Sequence, residues 1–235
     1  MKKMWDTYLS VNASADSKTA RTFGPDDCTY NGQIFIEIVT KNLNTARWRQ
    51  SGAGFNDLVP VLCSSRASGK APTGCVATAV GEVKKYHQYP AAYAWSSMDD
   101  VLGSTATATL MRDLGINHNL DNSYGCDGTG AQNKDIPRTF ANMGYPTPSR
   151  GDYIFSTVHN ELYNNRPVIL AGGKESGWWI FNIYSNGHCW VTDAYRDTNY
   201  WECHQNPWNP SQYEKYLSTS TGQLWMNWGW GATDN

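Results

Sequence analysis

Cys75 closes the loop Pro72-Thr73-Gly74 and opens a stretch in which Val76, Val80 and Val83 recur at helical spacing, with Ala77 and Ala79 between. A thiol in the first turn of a helix meets unpaired backbone N–H groups and the positive end of the helix dipole, and both favour thiolate. A small buried apolar residue is the commoner fate of a free cysteine, and position alone favours that reading. His188 shifts the balance. It follows Gly187 after the turn-like Ser185-Asn186-Gly187, and a histidine opening a strand there can hold its ring toward a helix end. Beside a cysteine it forms a thiolate–imidazolium pair. In Asn227-Trp228-Gly229-Trp230-Gly231, the Asn227 amide is suited to accept the imidazole N–H and fix its tautomer, while tryptophans keep water away. A Gly-rich turn with two core tryptophans is the structural alternative. Gln50 supplies an amide donor upstream of the nucleophile, which with the Cys75 N–H can stabilise a developing oxyanion.

The elements that must position these residues follow from periodicity. The spacing predicts a buried helix from about Thr73 to Tyr89, stopped by Pro90. Further helices are expected around Ala106, Leu110 and Leu114; around Ile136, Phe140 and Met143; and around Val158 and Leu162 before Pro167. A β-prone run, Ile34 to Val39, follows a polar leader. After Pro167 the pattern becomes strand-like: Val168 to Leu170, Trp178 to Tyr184, His188 to Tyr195 across the 185–187 turn, and Leu224 to Trp228. Helices first and strands second make an α+β fold, with helices packed on an antiparallel sheet.

Other candidates fall away. Asn119 to Ser123 has a faint calcium-loop character, but the twelfth position is Gly130 instead of glutamate. Asp193 follows His188 by five residues, so strand alternation places it on the opposite face. His87 reads as structural, and His118, His159 and His204 have no motif around them.

Composition bounds the remaining classes. Nineteen basic and 21 acidic residues give a net charge of -2 without long runs, which offers nothing to attract nucleic acid or an anionic membrane. Eleven Trp and 14 Tyr serve equally as core filling, surface patches or platforms for extended polymers. Six cysteines, at 28, 63, 75, 126, 189 and 203, lack the paired short spacings of zinc sites. If Cys75 stays free, at least one more thiol stays unpaired, which disfavours a densely stapled secreted fold. Lys2 and Lys3 resemble the start of a signal peptide, but no apolar run follows, and no transmembrane stretch is present.

Ala71 to Ala79, running on to Lys85-Tyr86-His87-Gln88-Tyr89-Pro90, closely resembles the nucleophile helix of the streptopain family of cysteine peptidases. Trp48-Arg49-Gln50 with Phe55-Asn56, Tyr93-Ala94-Trp95, Leu110 to Gly115, Asn186-Gly187-His188 and Asn227 to Gly231 support it in order. The resemblance spans about 47–235. It implies a papain-like fold with Cys75 as nucleophile, His188 as base, Gln50 as oxyanion donor, and Asn227 with Trp228 supporting the histidine. It also implies a cleft lined by the loop carrying Thr129 and Gly130, with Gly187 on the facing wall, where a missing side chain admits peptide backbone.

The chain departs from the family at Cys189, a second thiol expected to point away from the cleft, and in insertions at 174–184 and 196–222. Family members are typically exported zymogens. Residues 1–46 are too short for the inhibitory propeptide and read as a remnant or extension. The peptidase domain is expected at 47–235, without the family's C-terminal strands. The expectation is a secreted or cell-envelope cysteine endopeptidase acting on proteins or peptides, with no cofactor or metal and no nucleic-acid or membrane partner. Acyl transfer on a transglutaminase-like scaffold and a catalytically silent peptide-binding homologue are the alternatives.

Overall fold

In a computed structural model of the chain, described at residues 28–116, 119–146, 148–175 and 184–233, the first strand is β1 (Ile34–Asn42) and the first α-helix is α1 (Cys75–His87). Every residue of α1 from Val76 to Lys84 is buried. Burial on every side suits its small residues: Ala77, Ala79 and Gly81 let neighbours approach closely. A Cβ on Gly81 would stand 2.7 Å from the Met111 methyl and 3.2 Å from the Trp48 ring. The helix ends with Gln88 in the left-handed region, its N–H returning to the Lys85 carbonyl.

Three more helices follow: α2 (Thr105–Gly115), α3 (Ile136–Asn142) and α4 (Phe155–Tyr163). The predicted helices are all present, within two residues or so of the expected ends. Ser104 caps α2, its hydroxyl accepting the Thr107 N–H. Leu110, Met111 and Leu114 on that helix join Trp48, Phe55, Val76, Val80 and Val191 in the main core. Each such side chain contributes about 1.5–3 kcal/mol by leaving water. A second cluster gathers Val158, Leu162, Tyr195 and Leu224 under Val168 and Leu170.

The remaining strands are β2 (Val168–Glu175), β3 (Tyr184–Asn206) and β4 (Asn209–Asn227). The sheet order is β1-β3-β2, with β4 also paired to β3. β2 runs antiparallel to β3, with Val168 opposite Thr192, Leu170 opposite Trp190 and Gly172 opposite His188, and a register irregularity between Gly172 and Lys174. Here the structure corrects the sequence reading. Residues 185–187 are not a turn but lie within β3, Ser185 pairing with Lys174. The strand expected from Trp178 falls mostly outside the described residues, as does His118.

The chain groups into two compact units: residues up to Val39 with Asp197–Thr221, and Thr40–Arg196 with Gly222–Asn235. The first unit takes in most of the 196–222 insertion, as the distal parts of β3 and β4, and carries a Cys28–Cys203 disulfide. Within it Glu37 accepts hydrogen bonds from Asn199 and from the Trp201 indole. The second unit holds every candidate catalytic residue and a Cys63–Cys126 disulfide. Residues 40–46, expected to end a leader, belong to this second unit, while the first unit joins the leader side of the chain to the insertion.

Candidate active site

Cys75 is the first residue of α1, and the chain reaches it through Gly74 at φ 88°. Only glycine adopts that conformation cheaply, and a Cβ there would also stand 2.9 Å from the Thr129 carbonyl oxygen. The turn is held by Thr78, whose N–H and hydroxyl both donate to the Gly74 carbonyl at 3.1 and 3.0 Å. The half-buried thiol is free, as is that of Cys189. Burial pushes the Cys75 thiol up from its ordinary pKa, while the N–H groups of Cys189, Val76 and Cys75 itself pull it back. Cys75 also packs against the core cluster that contains Cys189, so its side chain lies against β3 near the residue that follows His188.

His188 Nε2 lies 2.8 Å from the Trp228 carbonyl oxygen. A carbonyl can only accept, so Nε2 carries the proton and Nδ1 keeps its lone pair. The ring sits among indoles, 5.0 Å from Trp230, 6.0 Å from Trp228 and 6.1 Å from Trp190. Burial there lowers the imidazole pKa, and the Trp228 hydrogen bond partly restores it. Both members of the pair are thus biased toward neutral forms.

Asn227 does not hold the histidine. Its fully buried amide donates to Thr45 Oγ1 at 3.1 Å and to the Ala46 carbonyl at 2.7 Å, and its oxygen accepts the Gly229 N–H at 3.3 Å. The next residue's main chain takes the imidazole instead. Asn227 thus fixes the segment and Trp228 makes the contact, a distinction invisible in sequence.

Gln50 lies beside the nucleophile turn, its carbonyl accepting the Thr73 N–H at 2.8 Å and the Thr73 hydroxyl at 3.2 Å. It lines a cavity of about 290 Å³ with Arg49, Arg66, Pro72, Gly128 and Trp230. Thr129 packs on Gly74 and donates its hydroxyl to the Pro72 carbonyl at 2.6 Å. Gly130 pairs with Ser123 in a short antiparallel bridge, so Asp127 and Gly128, not Thr129 or Gly130, face the cavity beside Gln50. Gly187 is exposed, with only the Gly172 carbonyl near where a side chain would be.

Cys189 turns inward, as alternation requires, into the core cluster that Cys75 packs against. Burial and the neighbouring Cys75 raise its thiol pKa far above the ordinary range. Asp193 is buried on β3 and accepts from the Thr45 N–H and hydroxyl at 3.1 and 2.7 Å, so it serves Thr45 and not the imidazole. No cluster of metal-ligating side chains occurs among the described residues.

The sequence profile of the peptidase C10 family matches residues 48–101 and 91–235. The chain belongs to the peptidase C10 family. It is 24% identical to streptopain of Streptococcus pyogenes serotype M1, over 89% of this chain and 58% of that protein. It is also 24% identical to the thiol protease/hemagglutinin PrtT of Porphyromonas gingivalis, over 80% of this chain and 22% of PrtT. The chain therefore spans little more than half the length of the streptopains it matches. In fold this C10 chain is similar to active interpain A cysteine protease of Prevotella intermedia, with a TM-score of 0.54 and 24% identity over 82% of each chain. A prointerpain A fragment from the same organism gives a TM-score of 0.55 at 22% identity, over 82% of this chain and 62% of that one. The α+β arrangement is papain-like.

Sequence reasoning passed over one group. Glu82 lies seven residues after Cys75 on α1 and is fully buried. Its spacing from Cys75, on a helix with apolar neighbours all round, was the available signal.

Proposed function

We propose that this chain is a cysteine endopeptidase with Cys75 as nucleophile and His188 as general base and acid. The observation that carries this reading is the placement of His188. Its Nε2–H is engaged by the Trp228 carbonyl at 2.8 Å, and Cys75 packs against the core cluster that holds Cys189, the next residue on β3. His188 Nδ1 removes the thiol proton as Cys75 Sγ attacks the peptide carbonyl carbon. The Cys75 N–H and the Gln50 amide stabilise the oxyanion. The imidazolium then protonates the departing amine, leaving a thioester. Water, deprotonated by Nδ1, hydrolyses the thioester and returns the thiol.

Extended protein or peptide segments are the substrates this cleft suits, with the Asp127 to Gly130 loop on one side and Gly187 on the other. An inhibitory propeptide is a further partner, by likeness to prointerpain A. Two disulfides favour an oxidising compartment, and hence secretion or the cell envelope; no described helix is long and apolar enough to cross a membrane. Hydrolysis of a denatured protein tests the reading. The parent should cleave it and take an epoxide label at Cys75, and Cys75→Ser should do neither. Full activity in that variant would overturn the assignment.

A further inference from the structure

We infer that Glu82 is a positioning residue, held as a neutral carboxylic acid, that ties the Gln50 segment and the Asn227–Trp228 segment to the nucleophile helix. The inference rests on the peptidase reading and on four observations.

First, Glu82 is fully buried two turns beyond Cys75 on α1. Second, its Oε1 accepts the Trp48 N–H at 3.0 Å. Trp48 is anchored in turn, its carbonyl accepting the Gly231 N–H at 2.9 Å, and Arg49 bridges to Trp230. The backbone that presents Gln50 therefore hangs from Glu82 at one end and from Thr73 at the other. Third, the same stretch of chain holds the other segment: the Asn227 amide donates to the Ala46 carbonyl at 2.7 Å, two residues before Trp48, and Asn227 precedes the carbonyl that holds His188.

Fourth, Glu82 Oε2 and Asp193 Oδ1 are both buried without a hydrogen-bond partner among the described residues. A buried ionised carboxylate with a stranded oxygen is strongly unfavourable. Donors distinguish the pair. Asp193 receives the Thr45 N–H, the Thr45 hydroxyl and, at 3.6 Å, the Arg47 guanidinium, whereas Glu82 Oε1 receives the Trp48 N–H alone. Glu82, with a single donor and a stranded oxygen, is the one that takes the proton. Burial, followed by the Asp193 charge, pushes the Glu82 carboxyl well above its ordinary range, with Trp48, Arg47 and Asn227 opposing. Protonated, Oε2 becomes a donor instead of a stranded acceptor.

The test compares Glu82→Gln, which keeps a neutral donor and acceptor of the same shape, with Glu82→Leu, which keeps neither. Difference infrared spectra near pH 7 should show a protonated carboxyl C=O band in the parent that Glu82→Gln lacks; loss of a carboxylate band instead would overturn neutrality. Peptide hydrolysis should keep kcat within about threefold in Glu82→Gln and fall about ten- to a hundredfold in Glu82→Leu, with KM nearly constant. A Gln variant as impaired as the Leu variant, or a fully active Leu variant, would overturn the positioning role. Should Glu82→Leu not fold, the infrared band and the Glu82→Gln rate decide. If the parent itself lacks hydrolysis, the peptidase reading fails separately. The infrared band and the rate of Cys75 alkylation by iodoacetamide, expected to be preserved in Glu82→Gln, still judge Glu82.

Discussion

Lys84 is the most costly side chain on the nucleophile helix. It is fully buried, and Nζ has no hydrogen-bond partner among the described residues. Its ammonium lies 4.1 Å from the Tyr145 ring centroid and 4.6 Å from that of Phe140. Burial lowers its pKa from 10.5 to about 7. Carried through linkage, that difference costs about 5 kcal/mol when the lysine must be charged in both folded and unfolded chains. The two ring faces return about 2 kcal/mol to the ammonium, leaving a net cost of about 3 kcal/mol. The sign follows from the depressed folded pKa. Between the folded and unfolded values the unfolded chain binds more protons, so this residue makes stability rise with pH toward 10.5, and the full cost is present near pH 6. Lys84→Met keeps the volume and removes the charge. It should stabilise the protein by about 3 kcal/mol near pH 6, with the gain shrinking as pH approaches 10. Urea unfolding followed by tryptophan fluorescence at several pH values measures it. A Met variant less stable than the parent near pH 6, or a difference that does not change with pH, would refute the reasoning.

Three further outcomes are expected. Gly74→Ala forces a side chain into a positive-φ position and toward the Thr129 carbonyl at 2.9 Å; it should cost about 1–3 kcal/mol of stability and lower kcat, read by unfolding and peptide hydrolysis. Because burial lowers the His188 pKa below its ordinary 6.5, the neutral base should persist into mildly acid solution. The acid limb of kcat/KM should then have its midpoint below about 6.5, and a midpoint above that value would contradict the assigned environment. The Cys63–Cys126 bond closes a separation of 63 residues beside the cavity loop. Replacing both cysteines with serine should cost about 2–5 kcal/mol in urea unfolding.

Much of the positioning apparatus could be read from residue order. Val76, Val80 and Val83 announced α1, because backbone conformation and burial act locally on residue type. Asn227 shows where that legibility stops. Its neighbourhood pointed to the histidine's support, but whether a side chain or the next carbonyl makes the bond depends on how the chain crosses β3, which spacing does not encode. Residues 185–187 look like a turn in isolation and are strand because β2 pairs across them. Glu82 and Lys84 looked like ordinary polar positions of a helix, since their burial is set by α2, α3 and β3 arriving from distant parts of the chain. The long hairpin of β3 and β4 was hidden for a similar reason. Its residues are polar and aromatic, and only their partners, such as Glu37 for Trp201, make them a sheet.

The central claim is that Cys75 is the nucleophile of a peptidase whose base is His188. Its most direct test is hydrolysis of a denatured protein by the parent chain and by Cys75→Ser, with mass spectrometry of the parent after reaction with an epoxide inhibitor. The account predicts cleavage by the parent alone and a single adduct on Cys75, with Cys189 unmodified in the core. Undiminished cleavage by Cys75→Ser would contradict it.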